Sequence, residues 1–226
     1  MPSTPMLVPA VSAGAAHELD IVRDASVAAL RAALVHAPER LVILGAGSTT
    51  RTHLAGTGTM RGFGVPYDVP LDPAAPSPEH LPLSITIGAW LLTQVGWPGD
   101  RAALEIDPGS SDVELDAEGL KLAGETRRTV LLVVADGSSS RTEKAPSSLH
   151  PDAEAFDSDV AAALRSGSPS ALCAMDRQRA QSVTAAGRPA WRVAAAALEG
   201  SDYDAVLHAD VAPYGVGYFV AHWLRH

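Results

Sequence analysis

The sequence has little of several residue types that would otherwise point to a function. It contains a single cysteine, Cys173, so no disulfide can form within the chain, and a reducing compartment is compatible with it. Its 17 Lys and Arg residues are outnumbered by 26 Asp and Glu residues, and the net charge is -9. This composition, without a basic stripe, disfavours nucleic acid and anionic membrane surfaces as partners.

Long apolar runs are also missing. No segment approaches the roughly 20 uninterrupted apolar residues of a membrane-spanning helix. The apolar stretch 6–16 has some features of a secretory signal, but no Lys or Arg precedes it and Pro9 interrupts it, so we expect a cytoplasmic protein. Only 5% of the residues are aromatic, which means that Ala, Val and Leu must supply most of the core.

Two short runs of Val, Leu and Ile predict strands that are buried on both faces. They are 41–44 (LVIL) and 130–134 (VLLVV), and small residues follow each run. Segment 83–95 predicts a helix, although its β-branched residues leave a strand as the alternative. Further helices are predicted at 15–36, 157–164, 169–186 and 189–198, and short strands at 102–106, 205–208 and 217–223. This alternation predicts one three-layer α/β/α domain over 1–226, with a mostly parallel mixed central sheet.

In such sheets, binding sites lie in the loops beyond the carboxyl ends of the strands. The loop Asp136–Arg141 (DGSSSR) offers a carboxylate and small polar groups that can bind a ligand or a metal. The same residues also favour an ordinary turn and helix cap. The loop Gly45–Thr50 (GAGSTT) lacks the third glycine of a dinucleotide-binding fingerprint and the G-K-[ST] ending of a phosphate-binding loop, so it indicates nucleotide binding only weakly.

A third group of polar residues lies near the C-terminus. His208 and Asp210 are separated by one residue, so they share a face if the predicted strand continues through them. Such a pair could ligate a metal, and the alternative is a histidine that is hydrogen-bonded at the surface. No G-x-S-x-G or H-E-x-x-H motif is present.

Four segments, in this order, resemble the class III extradiol ring-cleavage dioxygenase superfamily, in an actinobacterial branch related to Memo-like proteins. They are 5–9 (PMLVP), 130–141 (VLLVVADGSSSR), 156–157 (FD) and 215–221 (GVGYFVA). The resemblance spans nearly the whole chain. It implies the α/β/α fold, a homodimer, and a non-haem Fe(II) held by two His and one Glu, with a further His as acid and base.

The histidines that the resemblance implies are largely replaced here. The segment that resembles P-H-P-P reads Pro2–Pro5 and contains no His, and Ser140 occupies the His position of a loop resembling S-G-D-L-S-H-R. His53 is the only His near the second ligand position, and Glu199, His208 and Asp210 are candidates for the last. A serine hydroxyl cannot supply the near-neutral pKa of imidazole, which disfavours ring cleavage by the family mechanism.

Three hypotheses follow for the function. The first is a site that has lost the family's metal and binds a small aromatic or anionic ligand. The second is an active metal-dependent oxidoreductase, an aromatic ring-opening dioxygenase with relocated ligands, which would retain Fe(II). The third is a non-enzymatic interaction protein. The candidate residues are Ser140 and Asp136 at catalytic positions; Ser3, Thr4, Gly47, Ser48, Ser138, Arg141, Lys144 and Tyr214 in the pocket; and His53, His208 and Asp210 as metal ligands. We expect Ser3, His53 and Ser140 to converge in one cleft.

Overall fold

A computed structural model describes residues 1–226. Its strands are β1 Arg40–Ala46, β2 Arg51–His53, β3 Thr57–Thr59, β4 Asp68–Pro70, β5 Asp100–Ile106, β6 Thr129–Val134, β7 Tyr203–Val211 and β8 Tyr218–Arg225. Its α-helices are α1 Pro9–Ser12, α2 Asp20–Leu34, α3 Leu83–Gln94, α4 Asp112–Ala123, α5 Ala153–Ser166, α6 Pro169–Cys173, α7 Arg177–Ser182 and α8 Arg188–Leu198. Short 3-10 helices cover Pro5–Leu7, Ala13–Leu19 and Arg61–Phe63.

The central sheet has four strands in the order β2-β5-β1-β6. Strand β1 is parallel to both of its neighbours, with Leu41 opposite Arg101 of β5 and Val130 of β6, whereas β2 is antiparallel to β5. The predicted mostly parallel mixed sheet is confirmed. The carboxyl ends of β1, β5 and β6 therefore lie along one edge of the sheet, where the loops that follow them meet.

The alternating side chains of β1 divide the core between the two faces of this sheet. Leu41 and Ile43 pack in a cluster with α2 and α3, whereas Val42 and Leu44 pack in a second cluster with α4, α5 and α8. Helices therefore cover both faces, as the predicted three-layer arrangement requires. None of the helices is both long enough and apolar enough to cross a membrane.

The residues at the helix ends explain where the predicted helices match the observed ones and where they differ. Segment 83–95 is a helix, α3, in which Ser84–Leu92 are all buried, so its apolar residues need no periodicity. The predicted helix 15–36 becomes α-helical only at Asp20, after a 3-10 segment. One helix over 169–186 is wrong: α6 ends at Cys173, and Asp176 starts α7 by accepting a hydrogen bond from Arg179 N.

Helix α4 was not predicted, although its first turn carries a clear signal. Ser111 and Glu114 form a capping box at its start. The helix packs against α8, where a Cβ on Gly119 would lie 2.5 Å from Val193 O. Two bidentate ion pairs join these helices, Arg188 with Asp112 at 2.8 Å and Arg192 with Asp116 at 2.7 Å.

Strands β7 and β8 form an antiparallel hairpin that is separate from the central sheet. Strand β7 extends beyond the predicted strand 205–208 at both ends, whereas β8 begins one residue after the predicted start of 217–223 and continues two residues further. The hairpin is attached to the loop after β6, because Gly137 N donates to Gly217 O and Gly217 N donates to Ser138 O, both at 2.8 Å. The C-terminal segment therefore closes against the candidate loop that begins at Asp136.

Candidate functional site

The loop after β6 holds the N-terminal segment in place. Met1 N donates to Val133 O and Met1 O accepts from Ala135 N, both at 2.8 Å. Ser3 then donates to the two carboxylate oxygens of Asp136, from its main-chain N at 2.8 Å and from its Oγ at 2.6 Å. The structure thus brings together Ser3 and Asp136, two of the residues predicted from the sequence.

The surroundings of Asp136 disfavour its charged form. Burial raises the pKa of the Asp136 carboxyl, although the Ser3 hydrogen bonds and the Met1 ammonium act in the opposite direction. Thr4 is buried and accepts a hydrogen bond from Met6 N, which begins the first 3-10 helix. Burial also raises the pKa of the neighbouring Tyr218 to about 12. These residues form an enclosed polar cluster with a protonatable carboxyl at its centre.

A second carboxylate, Asp157, is buried and lies in the second turn of α5. Ser138 donates to it twice, from its N to Oδ1 at 2.8 Å and from its Oγ to Oδ2 at 2.7 Å. A Cβ on Gly137 or Gly217 would lie within 2.6 Å of an Asp157 oxygen, so both glycines are needed for the chain to pass so close. Burial raises the pKa of Asp157, whereas the bonds from Ser138 and the charge of Arg141 lower it.

Arg141 is the cation at the end of this loop. Its main-chain N donates to Gly215 O at 3.1 Å, but its guanidinium donates no hydrogen bond. The guanidinium lies 3.7 Å from both Asp157 Oδ2 and Glu154 Oε1, and 22% of the side chain is exposed. Its N–H groups are therefore free to donate to a further acceptor.

Two other predicted pocket residues lie near this end of the loop. Lys144 is exposed, and a Cβ on Gly215 would lie 2.4 Å from Thr142 Oγ1, which places Tyr214 close to the same segment. The Tyr214 hydroxyl is buried, and burial together with the neighbouring Glu18 carboxylate raises its pKa. Lys144 therefore adds a positive charge to the segment that follows Arg141, whereas the Tyr214 hydroxyl faces Glu18.

Ser140 has a different environment from the one expected of a catalytic group. Its side chain is buried, and its Oγ donates to Val183 O at 2.8 Å. Its carbonyl oxygen accepts from His150 N at 2.9 Å. Ser140 thus ties the loop to two distant segments of the main chain, and its hydroxyl is already engaged there.

A separate network surrounds Glu105, which lies near the end of β5. Its carboxylate accepts from four residues: Ser48 N at 2.7 Å, Thr49 N at 3.3 Å, Arg51 Nε at 3.1 Å and His53 Nε2 at 2.9 Å. Burial alone would raise the pKa of Glu105, but these hydrogen bonds outweigh it and lower the pKa to about 2. Glu105 is therefore ionised and fully engaged.

The predicted residues Gly47 and His53 both belong to this network. A Cβ on Gly47 would lie 2.2 Å from Glu105 Oε1, so glycine is what allows the carboxylate to enter the loop. His53 is buried on β2, and its Nδ1 lies 3.1 Å from Glu79 Oε1 without the alignment of a hydrogen bond. His53 therefore joins the short edge strand to β5.

Ser3, His53 and Ser140 do not form one constellation. Their hydrogen bonds go to Asp136, Glu105 and Val183 respectively, and none joins one of the three to another. Strands β5 and β6 flank β1, so the carboxylate networks at their ends are about 10 Å apart. The convergence of Ser3, His53 and Ser140 in one cleft stays a prediction.

The predicted shared face of His208 and Asp210 is wrong. The register of the hairpin shifts between Leu207 and Ala209, so His208 occupies a bulge. His208 Nε2 lies 2.7 Å from His222 Nδ1, whereas Asp210 lies opposite Phe219. Positions 219 and 222 alternate along β8, so the two predicted ligands project from opposite faces.

These positions do not fit the Fe(II) that the resemblance implies. His53 is on the outer strand β2, whereas His208 and Asp210 are on the hairpin attached beyond β6. No group of three or more His, Cys, Asp and Glu side chains is arranged to hold a metal ion. The best-placed carboxylate, Glu105, already accepts hydrogen bonds from four residues and has no oxygen left for a metal ion.

Sequence reasoning missed the two carboxylates around which these networks form. Glu105 had a visible signal, since it is a charged residue within an apolar predicted strand. Asp157 is part of a segment that carries the family resemblance, but its partner Ser138 could not be identified from spacing. No protein-family model and no curated protein matches the sequence.

Proposed function

We propose that the protein binds a small anionic ligand at the loop after β6, and that Arg141 is the group that recognises it. The observation that carries this proposal is the Arg141 guanidinium, which is partly exposed and donates no hydrogen bond to the carboxylates of Asp157 and Glu154, each 3.7 Å away. An arginine with free N–H groups can bind a carboxylate through two parallel hydrogen bonds. The neighbouring Lys144 would add to the positive charge.

The resemblance narrows the class of ligand. Members of the class III extradiol dioxygenase superfamily act on aromatic substrates, so we propose an aromatic carboxylate and membership of an altered branch of this superfamily. The proposal includes a homodimer in the cytoplasm. The replaced histidines and the engaged Ser140 favour binding over ring cleavage as the role of this site.

Isothermal titration calorimetry with benzoate, 3,4-dihydroxybenzoate and uncharged catechol tests the proposal. We expect the two carboxylates to bind and catechol to bind at least tenfold more weakly. The substitution Arg141→Gln should weaken carboxylate binding about tenfold or more, because a hydrogen bond to a charged group contributes about 1.5–3 kcal/mol. Arg165→Gln, at the exposed end of the same α5 helix that carries Asp157, is the matched control.

Three outcomes would contradict this proposal. Equal affinity of the Arg141→Gln variant and the parent protein would exclude Arg141 as the recognition group. Stoichiometric Fe(II) retained in the purified protein and lost on His53→Ala would favour the metal-dependent oxidoreductase. If a stable protein partner is recovered and no carboxylate binds, the hypothesis of a non-enzymatic interaction protein is favoured.

A further inference from the structure

Helix α2 carries two apolar faces, and only one of them packs on the protein. The inner face places Val22, Ala29 and Leu30 in the core. The outer face carries a continuous apolar stripe that we call the α2 seam: Ile21, Ala25, Ala28, Ala32 and Val35. A helix at the surface of a monomer needs one apolar face, so the second one requires a separate explanation.

The α2 seam is open to solvent along its length. Ile21 and Val35, at its two ends, are 70% and 76% exposed. Ala28 at its centre is exposed, and Ala25 and Ala32 are half-buried. Steps of four, three, four and three residues separate the five positions, which is the spacing of the apolar seam in a coiled coil. The spacing therefore fits a second helix laid along α2.

Two unpaired charges border this seam on one side. Asp24 and Arg31 are exposed and lie two heptad-equivalent positions apart on the same side of the helix. Neither forms an ion pair within the chain, whereas Asp20 and Arg23 of the same helix pair with each other. An acid and a base at equivalent positions are complementary to the same surface turned end over end.

A second copy of the chain in antiparallel orientation fills the seam. Where Ala25 lies opposite Ala28 of the second copy, Ile21 lies opposite its Ala32, because equal steps along the two helices keep the seam residues facing each other. The small alanines at the centre allow the two helix axes to approach to about 8 Å. The larger residues at the two ends then cover the edges of this close contact.

The same register also pairs the charges that border the seam. It brings Asp24 next to Arg31 of the second copy, and two-fold symmetry repeats the pair on the other side of the axis. In a parallel pair Asp24 would instead lie near Ala29, which is buried in the core of its own chain. The charges therefore favour the antiparallel arrangement.

We propose that the α2 seam is the interface at which two copies of this chain form an antiparallel, two-fold symmetric dimer. This inference deepens the proposed function, since it rests on the homodimer included there and names its surface. Helix α2 has 15 residues and is about 22 Å long, so the contact is smaller than a standard protein interface. We therefore expect a weak dimer, with a dissociation constant of about 10–100 µM.

Sedimentation velocity of the whole chain across this concentration range tests the proposal. The mass should rise from 23.4 kDa towards twice that value as the concentration increases. Ala28→Glu should weaken association about tenfold or more, because it places a charge at the centre of an apolar contact in both copies. Ala117→Glu, at an exposed alanine of α4, is the matched control and should leave association unchanged. Circular dichroism verifies that both variants are folded.

An exchange of charges tests the orientation of the two helices. Asp24→Arg alone should weaken association about fivefold, because both ion pairs become repulsive contacts. Adding Arg31→Asp should restore the affinity to within about twofold of the parent protein, because the exchanged charges pair again in the antiparallel register. A folding defect could not be repaired in this way, since the two residues do not contact each other within one chain.

Three results would overturn this interface. A mass of 23.4 kDa at every concentration contradicts both the interface and the homodimer of the proposed function. A dimer that Ala28→Glu does not weaken contradicts the interface alone, because the two copies then meet through another surface. A double variant as weak as Asp24→Arg contradicts the antiparallel register. Association that follows the expected order of the variants supports the interface even if no carboxylate binds at Arg141.

Discussion

Glu105 and Asp136 are two carboxylates at the same edge of the sheet, yet their surroundings act on them in opposite ways. Glu105 lies near the end of β5 and Asp136 follows β6, on either side of β1. The pKa of Glu105 is lowered to about 2, whereas that of Asp136 is raised. Burial pushes both pKa values upward, so the difference comes from the hydrogen bonds that each carboxylate receives.

The two loops supply different numbers of donors. The loop after β1 brings two main-chain N–H groups, an arginine and a histidine to Glu105, whereas Asp136 receives hydrogen bonds from Ser3 alone. A carboxylate with all its acceptor sites used acts as a structural anchor. A buried carboxyl with a raised pKa retains a proton more readily, which is a property that functional sites share.

The largest predicted effect on the free energy of unfolding is that of a substitution at Glu105. Glu105→Gln should lower the free energy of unfolding by about 3 kcal/mol at pH 7, because four donors lose a charged acceptor. The folded-state pKa of about 2 lies below the ordinary 4.5, so this stabilisation is full above pH 4.5 and is lost as the pH falls towards 2. Urea unfolding from pH 2 to 7 measures both quantities.

Glu143→Gln is the matched control, since Glu143 is exposed. It should change the free energy of unfolding by less than about 0.5 kcal/mol. A similarly small effect for Glu105→Gln would remove the distinction between the two carboxylates.

The second-largest effect on the free energy of unfolding is expected from the Met1 amino group, which lies beside Asp136. Its folded-state pKa of about 6 lies below the ordinary 8.0, so the unfolded chain binds more protons between these values. Stability should therefore rise by about 2–3 kcal/mol from pH 6 to pH 8. Urea unfolding of the free and the Nα-acetylated chain checks this, because acetylation should remove that part of the rise. An identical pH dependence of the two forms would mean that the amino group is exposed to solvent.

The smallest effect on the free energy of unfolding is expected for a substitution at Asp136. Its pKa is raised, so the charged form contributes no net stability at neutral pH, and Asp136→Asn should change the free energy of unfolding by less than about 1 kcal/mol. Ser3 can reorient its hydroxyl to accept from the new amide. Chemical denaturation at pH 7, beside Glu105→Gln, provides the comparison. A loss as large as that of Glu105→Gln would show that Asp136 is also a structural anchor.

The parts of the fold that could be predicted are those with a strong local cause. The runs at Leu41 and Val130 are apolar because both faces of the sheet are covered, and this pattern indicates a buried strand directly. The capping box at Ser111 was also local, and the helix that follows it could have been predicted. By contrast, the two separate helices after Pro169 depend on a cap at Asp176 that competes with an otherwise helical pattern.

The site was predictable only in part, because tertiary contacts decide where each side chain points. Sequence proximity to a strand end identified Asp136 and Arg141. It could not show that the Ser140 hydroxyl bonds to Val183, which is 43 positions away. Nor could alternation alone reveal the bulge at His208, because one extra residue reverses every later side chain of the strand.

The two ion pairs between α4 and α8 also limit how these helices can move. Arg188 and Arg192 are one helical turn apart, as are their partners Asp112 and Asp116. Arg192 also lies 2.9 Å from Asp112 Oδ2, so the four charges form one continuous ladder between the helices. A shift of α4 along α8 would disturb all four charges together, so we expect the two helices to move as one unit.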